Sequence, residues 1–226
     1  MSKLFLIRHG QASLGKQNYD MLSKLGEKQS ELLGEHLKDM GVIPNLVIRG
    51  DMHRHFQTSA GILEGLSMKE ALMNVRVDPR WDEFDFETLI RAYLAELKGD
   101  KPTLDNPKAF FSLLKNALTA WSRDEIQSTL AENWQDFSAR INDALLAALQ
   151  HHTHANIFVV SSGGAISMAL SHLLKFDAPS IINLNLQSRN SGISEIYFNE
   201  QQHYVTSFNG VPHLERGNRK QLITSA

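Results

Sequence analysis

Cysteine is absent from this 226-residue chain, which excludes a disulfide scaffold, a thiolate zinc site and a cysteine nucleophile. No run of about 18 apolar residues occurs, so no membrane-spanning helix is expected. The apolar start, Leu4 to Ile7, is broken at once by Arg8 and His9 and is too short for the core of a signal peptide. Charge of one sign is missing too: 23 Lys+Arg face 25 Asp+Glu. That balance disfavours nucleic acid as a partner. Internal repeats and low-complexity tracts are also lacking. The chain therefore reads as a soluble cytoplasmic protein with neither nucleic-acid nor membrane partners. What is present is an ordinary apolar fraction, 42%, enough to bury a core and to exclude disorder for the bulk of the chain. The length suits a single α/β domain over residues 1–226 with one insertion.

Three short apolar runs suit strands buried on both faces: Leu4–Ile7, Leu46–Ile48 and Ile157–Val160. Each is followed by a polar or glycine-rich loop and then a helical pattern. Ser23 is a fitting N-cap for a helix to about Met40, with Leu25, Leu32, Leu33, Leu37 and Met40 on one stripe. Further helices are expected from about Arg54 to Leu66 and from Gly164 through Leu174. This alternation predicts a mostly parallel central sheet flanked by helices. Ile193–Phe198 and Tyr204–Phe208 read as a hairpin around Asn199–Gln202. The polar tail beyond Leu214 reads as loosely held. Thr88–Lys98, Pro107–Trp121 and Glu125–Gln150 look helical, with breaks at Lys101-Pro102 and Asn106-Pro107. Residues 87–154 are accordingly read as a helical insertion or lid.

Open α/β sheets bind ligands at the carboxyl ends of their strands. Arg8, His9 and Gly10 follow the first strand, Arg49 to Arg54 the second, and Ser162, Gly163 and Gly164 the third. Guanidinium forks match phosphate oxygens bidentately, and a glycine-rich turn opening a helix presents backbone N–H groups to the same anion. Any one of these residues alone reads as a surface ion pair or an ordinary turn. Together, at three strand ends, they point to a phosphate site.

Leu6-Ile7-Arg8-His9-Gly10-Gln11 resembles the Arg-His-Gly signature of the histidine phosphatase (phosphoglycerate mutase-like) superfamily. The series continues in order. Asp20, Leu22, Ser23, Gly26 and Gln29 resemble its Asp-x-Leu-Thr-x-x-Gly-x-x-Gln stretch, and Arg54-His55-Phe56-Gln57-Thr58 its Arg-Ala-x-Gln-Thr motif. Asp78 to Glu83 resembles the segment ending in the family's catalytic acid, Val159–Gly164 its third strand and turn, and Asn209 with His213-Leu214 its last motif. The resemblance implies a three-layer fold and a phosphohistidine intermediate on His9. It also implies phosphoryl clamps at Arg8 and Arg54 and an acid/base at Glu83. Ser162 and the backbone near Gly163 would line the pocket. The substrate is then a small phosphorylated molecule, and neither cofactor nor metal is required.

Several positions depart from that pattern. Ser162 stands where the family carries a second histidine, Gly50-Asp51 replaces Ser-Pro, and Gly15 occupies an asparagine position. A serine donates one hydrogen bond but brings no charge, and loss of a preorganised donor costs about 10²–10³ in rate. His55 reads as structural, and His172 as pointing away from the pocket. The segment Glu83-Phe84-Asp85-Phe86-Glu87 lacks the tyrosine and glycine of phosphoglycerate mutases, so phosphomonoester hydrolysis is favoured over a mutase. A non-catalytic phosphate-binding relative is the alternative. A metallophosphohydrolase built on His53, His55, Asp51 and His9, or on His151, His152 and His154, lacks a recognisable ligand spacing. Ser161-Ser162-Gly163 does not match the Gly-x-Ser-x-Gly of a serine hydrolase, nor does any Gly-x-Gly-x-x-Gly follow the first strand.

Overall fold

The computed structural model describes residues 1–13, 20–97, 107–151 and 156–225. Gly15, Lys98, Lys101-Pro102, Asn106 and the His152 and His154 pair lie outside the described residues. Six strands form one mixed sheet: β1 (Ser2–Arg8), β2 (Leu46–Arg49), β3 (Arg76–Val77), β4 (Asn156–Ser161), β5 (Ile193–Phe198) and β6 (His203–Gly210). Their order is β3-β2-β4-β1-β5-β6. The first four are mutually parallel, whereas β5 runs antiparallel to β1 and closes the hairpin with β6. The expected parallel core and hairpin are both found. Asn199 shapes the hairpin turn, its side-chain oxygen accepting from the N–H groups of Gln201 and Gln202.

Strand alternation divides the core in two. Leu4, Leu6, Ile48, Ile157 and Val159 face α3 (Phe86–Glu96), α4 (Pro107–Ser122), α5 (Trp134–Leu149), α6 (Gly163–Leu174) and α7 (Ala178–Leu186). Phe5, Ile7, Phe158 and Val160 face α1 (Lys24–Asp39) and α2 (His53–Gly65). Continuous apolar runs are what a strand covered on both faces requires. The result is a three-layer α/β sandwich.

Four expectations need correction. Met40 is α1's C-cap and exposed, because the stripe ends at Leu37. The last long helix begins at Trp134 rather than Glu125, since Asn133 caps it by accepting from Asp136 N–H. Helix α7, capped by Asp177, was not expected from the pattern. The tail beyond Leu214 is held rather than loose. Its 3₁₀ turn (Gly217–Leu222) brings Leu222 and Ile223 onto Leu32, Val211 and Leu214. Buried Gln29 donates to the Leu222 carbonyl at 2.7 Å, and Asn190 N–H to that of Thr224 at 2.9 Å.

Candidate active site

Because β1, β4 and β2 are parallel neighbours, their carboxyl ends open side by side. Arg8 pairs with Ser161 in register, and His9 N–H donates to the Ser161 carbonyl at 2.9 Å. Arg8, His9, Arg54, His55 and Ser162 are all buried there. The structure thus brings the sequence-predicted residues together.

His9 directs Nδ1 at the Gly10 carbonyl, 2.7 Å away. A carbonyl only accepts, so Nδ1 carries the proton and a neutral ring leaves Nε2 with its lone pair. Burial holds the imidazole well below its ordinary pKa, and the charges of Arg54, Arg8 and His55 push the same way. Gly10 is itself fixed, its N–H donating to Thr58 Oγ1, which in turn donates to the Arg54 carbonyl.

The guanidinium of Arg54 donates from Nη1 to Asp20 Oδ1 at 2.9 Å and from Nη2 to Ser162 Oγ at 3.3 Å. Arg8 donates from Nη1 to the Ser188 carbonyl. Helix α2 has no side-chain N-cap of its own. Two carboxylates from elsewhere hold its start, Asp20 accepting from the first helical N–H groups, those of His53 and Arg54, and Asp82 from those of Asp51 and Met52 just before the helix. Negative charge at a helix N-terminus is favourable.

Glu83 accepts from Gly164 N–H at 2.8 Å through Oε2. Desolvation raises its carboxyl pKa, against the opposing effects of the Gly164 hydrogen bond, Arg54 and Arg8. A Cβ on Gly164 would lie 2.3 Å from Glu83 Oε1, so only glycine admits the carboxyl this close. Behind it, Phe84 packs at 5.1 Å from Trp121 and 5.5 Å from Phe137. Arg140 of α5 donates to the carbonyls of Arg80 and Asp82, both at 2.8 Å, while its fork also holds Glu132. The helices of the 86–149 region therefore brace the segment that carries Glu83.

Sequence reasoning missed Asp82, Arg140 and Ser188, and took His55 as structural. His55 is fully buried and lies 2.8 Å through Nε2 from Ser162 Oγ, with its ring 5.9 Å from that of His9. His172 turns away to the Ser138 carbonyl. Of the insertion residues, Trp121 is core-facing, whereas Arg91, Lys115 and Arg123 are exposed. Among the described residues, no three His, Asp or Glu side chains converge as a metal-ligand set, and no helix is long and apolar enough to cross a membrane.

The profile of the Histidine phosphatase superfamily (branch 1) matches residues 4–210. The chain is similar to the probable phosphoglycerate mutase GpmB of Cronobacter sakazakii, 24% identical over 212 residues that cover 88% of this chain and 86% of that one. Phosphoserine phosphatase of Entamoeba histolytica, solved in complex with 3-phosphoglyceric acid, superposes with TM-score 0.67 at 25% identity, over 95% of this chain and 100% of the other. Phosphoglycerate mutase from Bacillus anthracis gives 0.64 at 19% identity over 94% of each chain.

Proposed function

Since the chain belongs to the histidine phosphatase superfamily, we propose that it hydrolyses a small phosphomonoester through a phosphohistidine on His9. The observation that carries this reading is the hydrogen bond from His9 Nδ1–H to the Gly10 carbonyl, inside a pocket whose two arginines act on the same ring. It supplies an unprotonated Nε2 at neutral pH, which is the form that attacks phosphorus.

In the first half-reaction Nε2 bonds to phosphorus and the ester P–O bond breaks. Glu83, whose carboxyl pKa is raised by burial, gives its proton to the leaving alkoxide. In the second, Glu83 draws a proton from water as its oxygen attacks phosphorus and the P–N bond breaks. This returns His9 and releases inorganic phosphate. Arg8 and Arg54 neutralise charge on the phosphoryl oxygens, and Ser162 Oγ and Gly163 N–H line the same pocket. No metal enters these steps. Mutase chemistry needs the phosphoryl group to be returned to a second substrate oxygen. The lack of the mutases' tyrosine and glycine after Glu83 favours water as the acceptor.

Hydrolysis of p-nitrophenyl phosphate in EDTA tests the proposal. Turnover is expected to survive the chelator and to vanish in His9→Ala, with acid-labile phosphate trapped on the wild-type chain alone. Full activity in His9→Ala would overturn the mechanism. Phosphate binding without turnover would instead favour the non-catalytic alternative.

A further inference from the structure

Gly50, His55 and Ser162, three positions at which the sequence departs from the family pattern, meet at one point in the structure. His55 is fully buried, and its Nε2 lies 2.8 Å from Ser162 Oγ. Its Nδ1 lies 3.6 Å from Asp82 Oδ1. A Cβ on Gly50 would stand 2.3 Å from that Nδ1 and 2.4 Å from that Oδ1, so the missing side chain at 50 is what lets ring and carboxylate face each other. Asp82 is fixed in turn by the N–H groups of Asp51 and Met52.

Ser162 has one proton, and the protonation of His55 decides where it points. With His55 neutral and its proton on Nδ1 toward Asp82, Nε2 can only accept, so the Ser162 hydroxyl donates to the ring. Its oxygen meanwhile accepts from Arg54 Nη2 at 3.3 Å. In that state Ser162 offers nothing to a phosphoryl oxygen. With a proton on Nε2 the ring donates to Ser162 Oγ, and the hydroxyl hydrogen turns outward.

We propose that Asp82, His55 and Ser162 form a relay in which His55, acting as a positioning residue, takes up one solvent proton on Nε2 when a phosphoryl dianion enters and thereby aims the Ser162 hydroxyl at it. No covalent bond to carbon or phosphorus changes in this step. One proton moves from water onto Nε2, and one hydrogen bond swings from ring to ligand. The relay would supply, through a neutral serine, the directed donor that the serine alone lacks.

The charges facing the ring suit such an exchange. Burial and Arg54 keep His55 below its ordinary pKa, while Asp82 and Asp20 pull the other way. His9 also faces it across 5.9 Å. An arriving dianion adds negative charge and tips that balance toward protonation. A nucleophilic serine is the less supported use of the same three groups. Ser162 is an ordinary extended residue (φ −113°, ψ 167°) rather than a strained elbow, and Gly164 N–H is already taken by Glu83.

This inference rests on reading the Arg8, Arg54 and His9 pocket as a phosphoryl site, and calorimetric titration with inorganic phosphate separates the two. His55→Ala and Ser162→Ala are each expected to weaken phosphate about tenfold, and the double variant no further, since one acts through the other. Additive losses would overturn the relay and leave the site reading standing. Titrations in buffers of different ionisation enthalpy should show proton uptake on binding that persists in His9→Ala and is lost in His55→Gln, a variant that keeps a donor near Ser162 but does not titrate. Uptake unchanged in His55→Gln would also overturn it. Failure of wild-type protein to bind phosphate would sink both readings. Binding without a phosphohistidine would sink hydrolysis alone, with the titration cycle still deciding the relay.

Discussion

Burial raises the Glu83 carboxyl pKa, because ionisation would place a charge where water cannot solvate it, and the Gly164 hydrogen bond and two nearby arginines only partly offset that cost. The stability consequence has a definite sign. A carboxyl whose folded pKa lies above its unfolded value holds a proton in the native state that the unfolded chain has released. Its contribution is full below the ordinary glutamate range and is lost as pH rises through the raised value. Glu83→Gln removes the ionisable group while keeping an oxygen for Gly164 N–H. The variant is therefore expected to lose turnover yet to melt higher than wild type at pH 7–8, with the gap closing near pH 4. Melting curves across pH decide it; a gap that does not change with pH would show that Glu83 is not held neutral by the fold. A stabilising change that removes activity is the ordinary signature of a site built at the expense of stability.

At the scale of elements, the segment that carries Glu83 depends on α5, which holds it through Arg140. Arg140 on α5 grips the carbonyls of Arg80 and Asp82 with one nitrogen and Glu132 with the others, a fork that lysine cannot reproduce. Arg140→Ala and Arg140→Lys should both lower kcat, by roughly tenfold for loss of positioning, while leaving the far-ultraviolet circular dichroism intact. Wild-type kcat in the lysine variant would show that a single charge suffices. Arg140 also shows where reading from sequence runs out. β1, β2 and β4 are legible because apolar runs buried on both faces leave no other assignment, and α1 is legible from Ser23, Leu32, Leu33 and Leu37. The residues at the strand ends follow from topology, so Arg8, His9, Arg54 and Ser162 could be placed together from sequence alone. Arg140 and Asp82 could not, because their partners lie 58 to 60 and 30 to 31 residues away along the chain and no local pattern encodes such pairings. The segment before Asn133 misled for the opposite reason: its composition favours helix, but the Asn133 cap fixes the start nine residues later than Glu125.

For the molecule as a whole, residues 215–225 close a seam between α1 and the end of the sheet. Leu222 and Ile223 cover Leu32, Val211 and Leu214, Gln29 is bonded to the Leu222 carbonyl and Thr224 Oγ1, and Arg219 reaches the His213 carbonyl. His213 lies fully buried against Ser191, 2.8 Å away. Burial first, and the charges of His36 and Arg219 after it, push its pKa down to about 3. A histidine held neutral in this way contributes stability that is full above its unfolded value of about 6.5. That contribution is lost as pH falls toward the folded value, because the unfolded chain binds a proton that the native one refuses. Deleting residues 215–226 removes about 2–3 kcal/mol of apolar cover and should lower Tm by roughly 5–10 °C at pH 7.5. The same deletion opens His213 to water and takes away Arg219, so its pKa climbs back and the truncated chain has less to lose in acid. The Tm deficit is therefore expected to shrink between pH 7.5 and pH 5. Scanning calorimetry of both chains over that range checks the argument. An equal deficit at every pH would mean that the tail contributes packing alone and that His213 is shielded by Ser191 and the sheet without it.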